Sequence, residues 1–152
     1  MMPSSEDLRG PFRYAHRRNL RALADRLDKV QEGLGSRARH NQAIWGRRTP
    51  CGTTACAAGW EVIRARDLHP EWELVSGPLN IDHPVYIMDY ATARLDNETF
   101  MSVPDWAALR LGLNERGADK VFHAARDSEV PSLLRAIANG KYPGYVRTGD
   151  DS

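Results

Sequence analysis

The chain has 152 residues, of which 41% are hydrophobic and 27% charged, and a net charge of +1. That length suits one domain whose core needs no disulfide or metal staple, and no apolar run approaches the roughly 18–20 residues of a membrane span, so a soluble protein is expected. The near-neutral total hides an asymmetry: residues 1–50 carry 11 Lys+Arg against 5 Asp+Glu, while residues 51–152 carry 10 against 15. A basic third can lie against an acidic remainder or be solvated, and by itself it supplies only the sequence-independent phosphate attraction of a nucleic-acid binder. The start, Met1 to Asp7, lacks the charged-then-apolar order of a secretory signal. Both cysteines are therefore expected in a reducing cytoplasm, where a structural disulfide is disfavoured.

In chain order, Leu20, Leu23, Ala24, Leu27 and Val30 recur at three- and four-residue steps, with Arg17, Arg18, Arg21, Asp25 and Asp28 on the other side. The spacing predicts an amphipathic helix over about Tyr14 to Gln31, punctuated by Pro11 before it and Gly33 and Gly35 after it. Ser36 to Pro50 reads as a basic irregular loop with Arg37, Arg39, His40, Arg47 and Arg48, its apolar pair Ile44-Trp45 anchoring it to the core. The alternative use of Trp45 and these arginines is base stacking with phosphate contacts.

A helix is then expected from about Thr54 to Ala65, capped by Thr53 or Thr54 and ended by Pro70, with Cys56, Trp60 and Ile63 on one face. Trp72 to Val75, Val85 to Met88 and Thr99 to Val103 are short β-rich runs between turn residues, which predicts two or three antiparallel strands. Tyr90 to Leu95 is compatible with a helical turn. Three helices follow: one opened by Pro104 and closed by Gly112, one capped by Asn114 and carrying Ala118, Val121 and Phe122, and one capped by Ser128 and ending at Gly140. From Lys141 onward, Pro143, two glycines and terminal acids predict a frayed tail.

The chemistry-bearing candidates lie in Cys51-Gly52-Thr53-Thr54-Ala55-Cys56-Ala57-Ala58-Gly59-Trp60. Zinc would need four ligands, and Cys51 and Cys56 with His69 and His83 are the available set, assembled only if the fold brings them together. Cys51, ahead of the helix, is placed for a thiolate stabilised by the helix dipole, yet a thiol enzyme also needs a base and an oxyanion hole that no motif supplies. The competing account makes Gly52 a turn, a threonine the cap, Cys56 a small buried apolar residue and Trp60 a core filler.

The same segment resembles an element of small uncharacterised bacterial and phage proteins, Cys-Gly-Thr-x-x-Cys-x-x-Gly-Trp or Gly-His after a Trp-containing loop. Trp45, Cys51-Gly52-Thr53, Cys56 and Gly59-Trp60 match it, and Leu111-Gly112-Leu113 with Val121-Phe122 match a later part. The resemblance implies a shared fold and a phage or mobile-element origin, and brings no catalytic residue.

These observations give an α+β, helix-rich single domain spanning 1–152, with a small antiparallel sheet of two or three short strands, an ordered core over 12–140 and flexible ends at 1–10 and 146–152. The expected function is that of a non-enzymatic cytosolic accessory protein, phage-encoded, that binds another protein of a bacterial host and needs no cofactor. Candidate binding residues are Cys51, Arg17, Arg18, Arg21, Arg47, Arg48 and Trp45. The alternatives are a nucleic-acid-binding module using the basic N-terminal third, which adds Arg37 and Arg39, and a cysteine-based metal or thiol site.

Overall fold

The fold is seen in a computed structural model that describes residues 4–31, 38–49, 52–75, 84–95 and 97–149. Helix α1, Tyr14–Gln31, forms as its periodicity predicts and buries Leu20, Leu23, Ala24, Leu27 and Val30. Its main partner is α5, Val130–Ala138, which presents Leu134 and Ile137. Arg135 of α5 clamps the pair by reaching Asp25 at 2.8 Å and Asp28 at 2.6 Å.

Among the described residues six strands, rather than two or three, make a mixed sheet: β1 Ala38–His40, β2 Arg47–Thr49, β3 Gly52–Ala55, β4 Leu68–Leu74, β5 Tyr86–Ala93 and β6 Phe100–Ser102. Their order is β1-β3-β2-β5-β4, with β6 pairing beside β5. Only β1 and β3 run parallel among these pairs. The basic segment Ser36 to Pro50 is thus not wholly irregular, since it contributes β1 and β2. Both are three-residue strands without hydrophobic alternation, held by backbone pairing to β3 and β5. Tyr90 to Leu95 is not a helical turn, because Tyr90–Ala93 completes β5. Strand β4 begins at Leu68 and includes Pro70, which a sheet tolerates on an edge strand whose N–H side has no ladder partner.

Alternation assigns the two sheet faces. Ala55, Leu68, Met88, Ala91 and Ala93 are buried toward the helices, with Trp72 and Met101 packed beside them. Helices α2 (Ala57–Arg64) and α3 (Val103–Leu111) lie on that face, and Trp106 of α3 donates its indole N–H to the Ala91 carbonyl at 2.7 Å. Pro104 sits in the first turn of α3, and Gly112 ends it at φ 70°, a conformation that favours glycine. Helix α4, Glu115–Asp119, is capped by Asn114, whose side-chain oxygen accepts the Gly117 N–H at 2.8 Å. It continues into a π-helical turn, Lys120–Ala124, that buries Val121 and Phe122. Ser128 does not cap the last helix: it lies in a 3-10 turn, Asp127–Glu129, that leads into α5.

The described part of the tail, residues 141–149, is tied to the rest of the chain rather than frayed. Val146 bridges Leu113, the Arg147 N–H donates to Gly112 and its carbonyl accepts from Phe12. The Arg147 guanidinium donates to the carbonyls of Leu8 at 2.7 Å and Leu109 at 2.9 Å, joining the two ends of the described chain. Among the described residues no helix is long and apolar enough to cross a membrane.

Candidate functional site

The start of α2 is built differently from its sequence expectation. The helix begins at Ala57, the threonines lie in β3, and Cys56 is the N-cap. The Cys56 sulfur accepts the Gly59 N–H at 3.4 Å, while the side-chain oxygen of Gln42 accepts the Ala57 N–H at 2.9 Å. Two of the amide hydrogens that a helix start leaves unpaired are thereby satisfied. Gly59 is required for another reason: a Cβ there would collide with the Trp45 carbonyl and stand 2.8 Å from the Ala55 methyl. Cys56 is fully buried, and desolvation pushes its thiol up to about 11 despite the amides that favour the thiolate. A thiol at a helix start is reactive only when the dipole outweighs burial, and here burial wins.

Cys51 and His83 lie outside the described residues, as does Arg37. Of the remaining proposed ligands, Cys56 is enclosed beneath α2 and His69 is exposed on β4. No group of three or more His, Cys, Asp or Glu residues is placed to hold a metal among the described residues.

The basic residues do not form one surface. Arg17 donates to the Ala138 carbonyl at 2.6 Å and Arg21 to Asn139 at 3.1 Å, so both fasten α1 to the end of α5. Arg48 stacks on the Trp72 ring at 4.4 Å. Trp45 is partly buried against the core and meets His123 edge-on, with ring centroids 5.4 Å apart. Arg18, Arg39 and Arg47 are exposed, the first on α1 and the other two on the sheet.

Two features emerge that sequence reasoning missed. The first is the outer face of the sheet, over which no described helix lies. The pairing registers place Arg39, Thr54, Arg47, Ile87 and Glu73 in one row across β1, β3, β2, β5 and β4. A bulge in β5 at Asp89 keeps the alternation correct beyond it, so that Tyr90, Glu71, Thr92, His69 and Phe100 also point outward. Tyr90 and Phe100 stack at 4.9 Å with their rings 16° apart, yet remain 43% and 54% exposed. Beside them the Thr92 hydroxyl donates to the Glu71 carboxylate at 2.8 Å. The alternation of Tyr90 with Ala91 was the available signal, hidden by the competing helical reading.

The second is a buried ionic cluster. Glu61, wholly enclosed in α2, accepts from Arg64 Nε at 2.6 Å and from Arg110 Nε at 2.7 Å. Arg110 also reaches Asp67 at 3.0 Å and the Ser5 hydroxyl at 2.6 Å, while the Ser5 N–H donates to Asp67. Asn19 of α1 accepts from Arg64 and donates to the Arg110 carbonyl. The cluster borders a cleft of about 400 Å³ between α1, the end of α2 and the turn into β4. Its sequence signal is Glu61 between Trp60 and Val62, with Arg64 three residues on in a helix whose other residues are apolar or glycine. Comparison with protein-family models, with curated proteins and with solved structures yields no match, so the site rests on its own geometry.

Proposed function

We propose that this protein is a non-enzymatic accessory protein that takes a protein partner on the open face of its sheet. The carrying observation is the Tyr90–Phe100 pair, two exposed aromatic rings on a face with Ile87 between Arg47 and Glu73. Tyr, Phe and Arg are enriched where proteins meet, and a pre-stacked rigid pair loses little freedom on docking. A phosphate backbone crossing the same face would meet the carboxylates of Glu71 and Glu73 beside the rings, which favours a protein over a nucleic acid. The dispersal of Arg17, Arg21 and Arg48 into internal contacts weighs the same way. The proposal includes a phage origin and a bacterial host target, which rest on the resemblance of the Cys51 to Trp60 element, and a cytoplasmic setting.

The test is capture from bacterial lysate by the wild-type chain and by a Tyr90→Ala, Phe100→Ala double variant, with and without nuclease. A protein retained by the wild type, lost by the variant and indifferent to nuclease is the expected result. Equal retention by both chains, or loss on nuclease treatment, contradicts the proposal.

A further inference from the structure

We propose that the cleft beside the ionic cluster is a second binding site, for a small ligand bearing a phosphoryl or carboxylate group. It does not rest on the sheet face. Arg18, Arg64, Arg66 and Arg110 line the cleft with Asn19, and Asp67 is the one carboxylate among its described lining residues. Glu61 stands behind Arg64 and Arg110. Arg64 and Arg110 are balanced by Glu61 and Asp67, so structure alone needs no further cation. Arg66 nevertheless borders the same cleft and adds a positive charge that no carboxylate among the described residues offsets.

The donor inventory points the same way. Arg64 spends Nε and Nη2 on Glu61 and Asn19, and its Nη1 makes no hydrogen bond among the described residues. Arg110 spends Nε and Nη1 on Glu61, Ser5 and Asp67, and its Nη2 is likewise unused there. The Arg64 side chain is 16% exposed and the Arg110 side chain 8%. Arg66 is exposed and has no partner among the described residues. One unspent guanidinium nitrogen can donate a charge-assisted hydrogen bond to an oxyanion, and two such groups fixed in advance by a buried glutamate bind without first being ordered. The cleft volume of about 400 Å³ falls in the range of small-molecule sites, and Ala15 and Ala65 supply apolar wall for the body of a ligand. Glu61 thereby acquires a role as a positioning residue.

The experiment titrates ¹⁵N-labelled protein separately with inorganic phosphate and with citrate, ionic strength being held constant with sodium chloride. Saturable shifts of the Asn19, Arg66 and Asp67 amides with either anion are expected, and the anion that saturates them at lower concentration identifies the preferred group. Arg66→Gln, an exposed change that leaves the fold intact, is expected to weaken binding about tenfold, the usual effect of losing one charged hydrogen bond. Arg126→Gln, at a side chain 86% exposed elsewhere, should leave the affinity unchanged. Shifts no larger than those given by chloride alone, or undiminished affinity in Arg66→Gln, overturn the proposal.

Discussion

Replacing Glu61 by glutamine keeps the shape of the side chain and removes the charge on which two guanidiniums converge. In the native fold the carboxylate accepts from Arg64 Nε at 2.6 Å, Arg64 Nη2 at 3.0 Å and Arg110 Nε at 2.7 Å, with no exposure to solvent. Glutamine would present an NH2 group to donors and leave Arg64 without a carboxylate, whereas Arg110 would keep Asp67 and Ser5. Removing one partner of a buried ion pair costs about 3–5 kcal/mol, and the partial solvation of Arg64, whose side chain is 16% exposed, places this case near the low end, about 3 kcal/mol. For a domain of this length that corresponds to a fall in melting temperature of about 6–12 °C. Urea unfolding monitored by tryptophan fluorescence, alongside thermal melts, reads both numbers. A loss below about 1 kcal/mol, the range of solvent-exposed pairs, would refute the placement of Glu61 in a sealed cluster.

His16 supplies a pH dependence of defined sign. Burial depresses its pKa to about 4, the neighbouring Arg147 and Arg13 act in the same direction, and the Leu8 carbonyl opposes them. The unfolded chain therefore takes up this proton first as pH falls, so the stability is fully present above about pH 6.5 and is lost towards pH 4, about 3 kcal/mol in all. A His16→Gln variant should show a shallower decline in unfolding free energy over that window, and an unchanged slope would contradict the buried neutral ring. Gly59→Ala should destabilise by about 1–3 kcal/mol because the loop carrying Trp45 must be pushed off α2, as measured by urea midpoint. In a Cys51→Ser background, Cys56 should react with a disulfide reagent about 100-fold more slowly than an ordinary thiol on thiolate fraction alone, and at the ordinary rate in urea. Fast labelling of the folded protein would mean that Cys56 is not enclosed.

The helices were legible where one strong signal governs them. The Leu20–Leu23–Leu27 stripe specifies α1, and Asn114 and Gly112 punctuate α4 and α3 because their side-chain and backbone chemistry is local. The sheet was only half legible. Arg47-Arg48-Thr49 carries no strand signal because Arg47 faces solvent and Arg48 stacks on Trp72, a residue far along the chain. Pro70 argued against a strand beginning at Leu68, and only the edge position of β4 makes it acceptable. The helical spacing places Cys56 in the core; it is buried, but its sulfur also caps the helix, a use that the neighbouring threonines overshadow in the sequence. The candidate site was least legible, because Glu61 meets Arg110 across 49 residues and Tyr90 meets Phe100 across a turn. Contacts of that kind are made by the fold and have no local pattern.

The most direct measurement places a photo-crosslinking amino acid at position 100 on the outer sheet face and, in a separate chain, at Ser132, exposed on α5. Both are irradiated in bacterial cells. A discrete protein adduct at position 100 that is displaced by excess wild-type chain and absent at position 132 is the predicted result. Adducts formed equally at both positions, or at position 132 alone, would contradict the assignment of the sheet face as the docking surface.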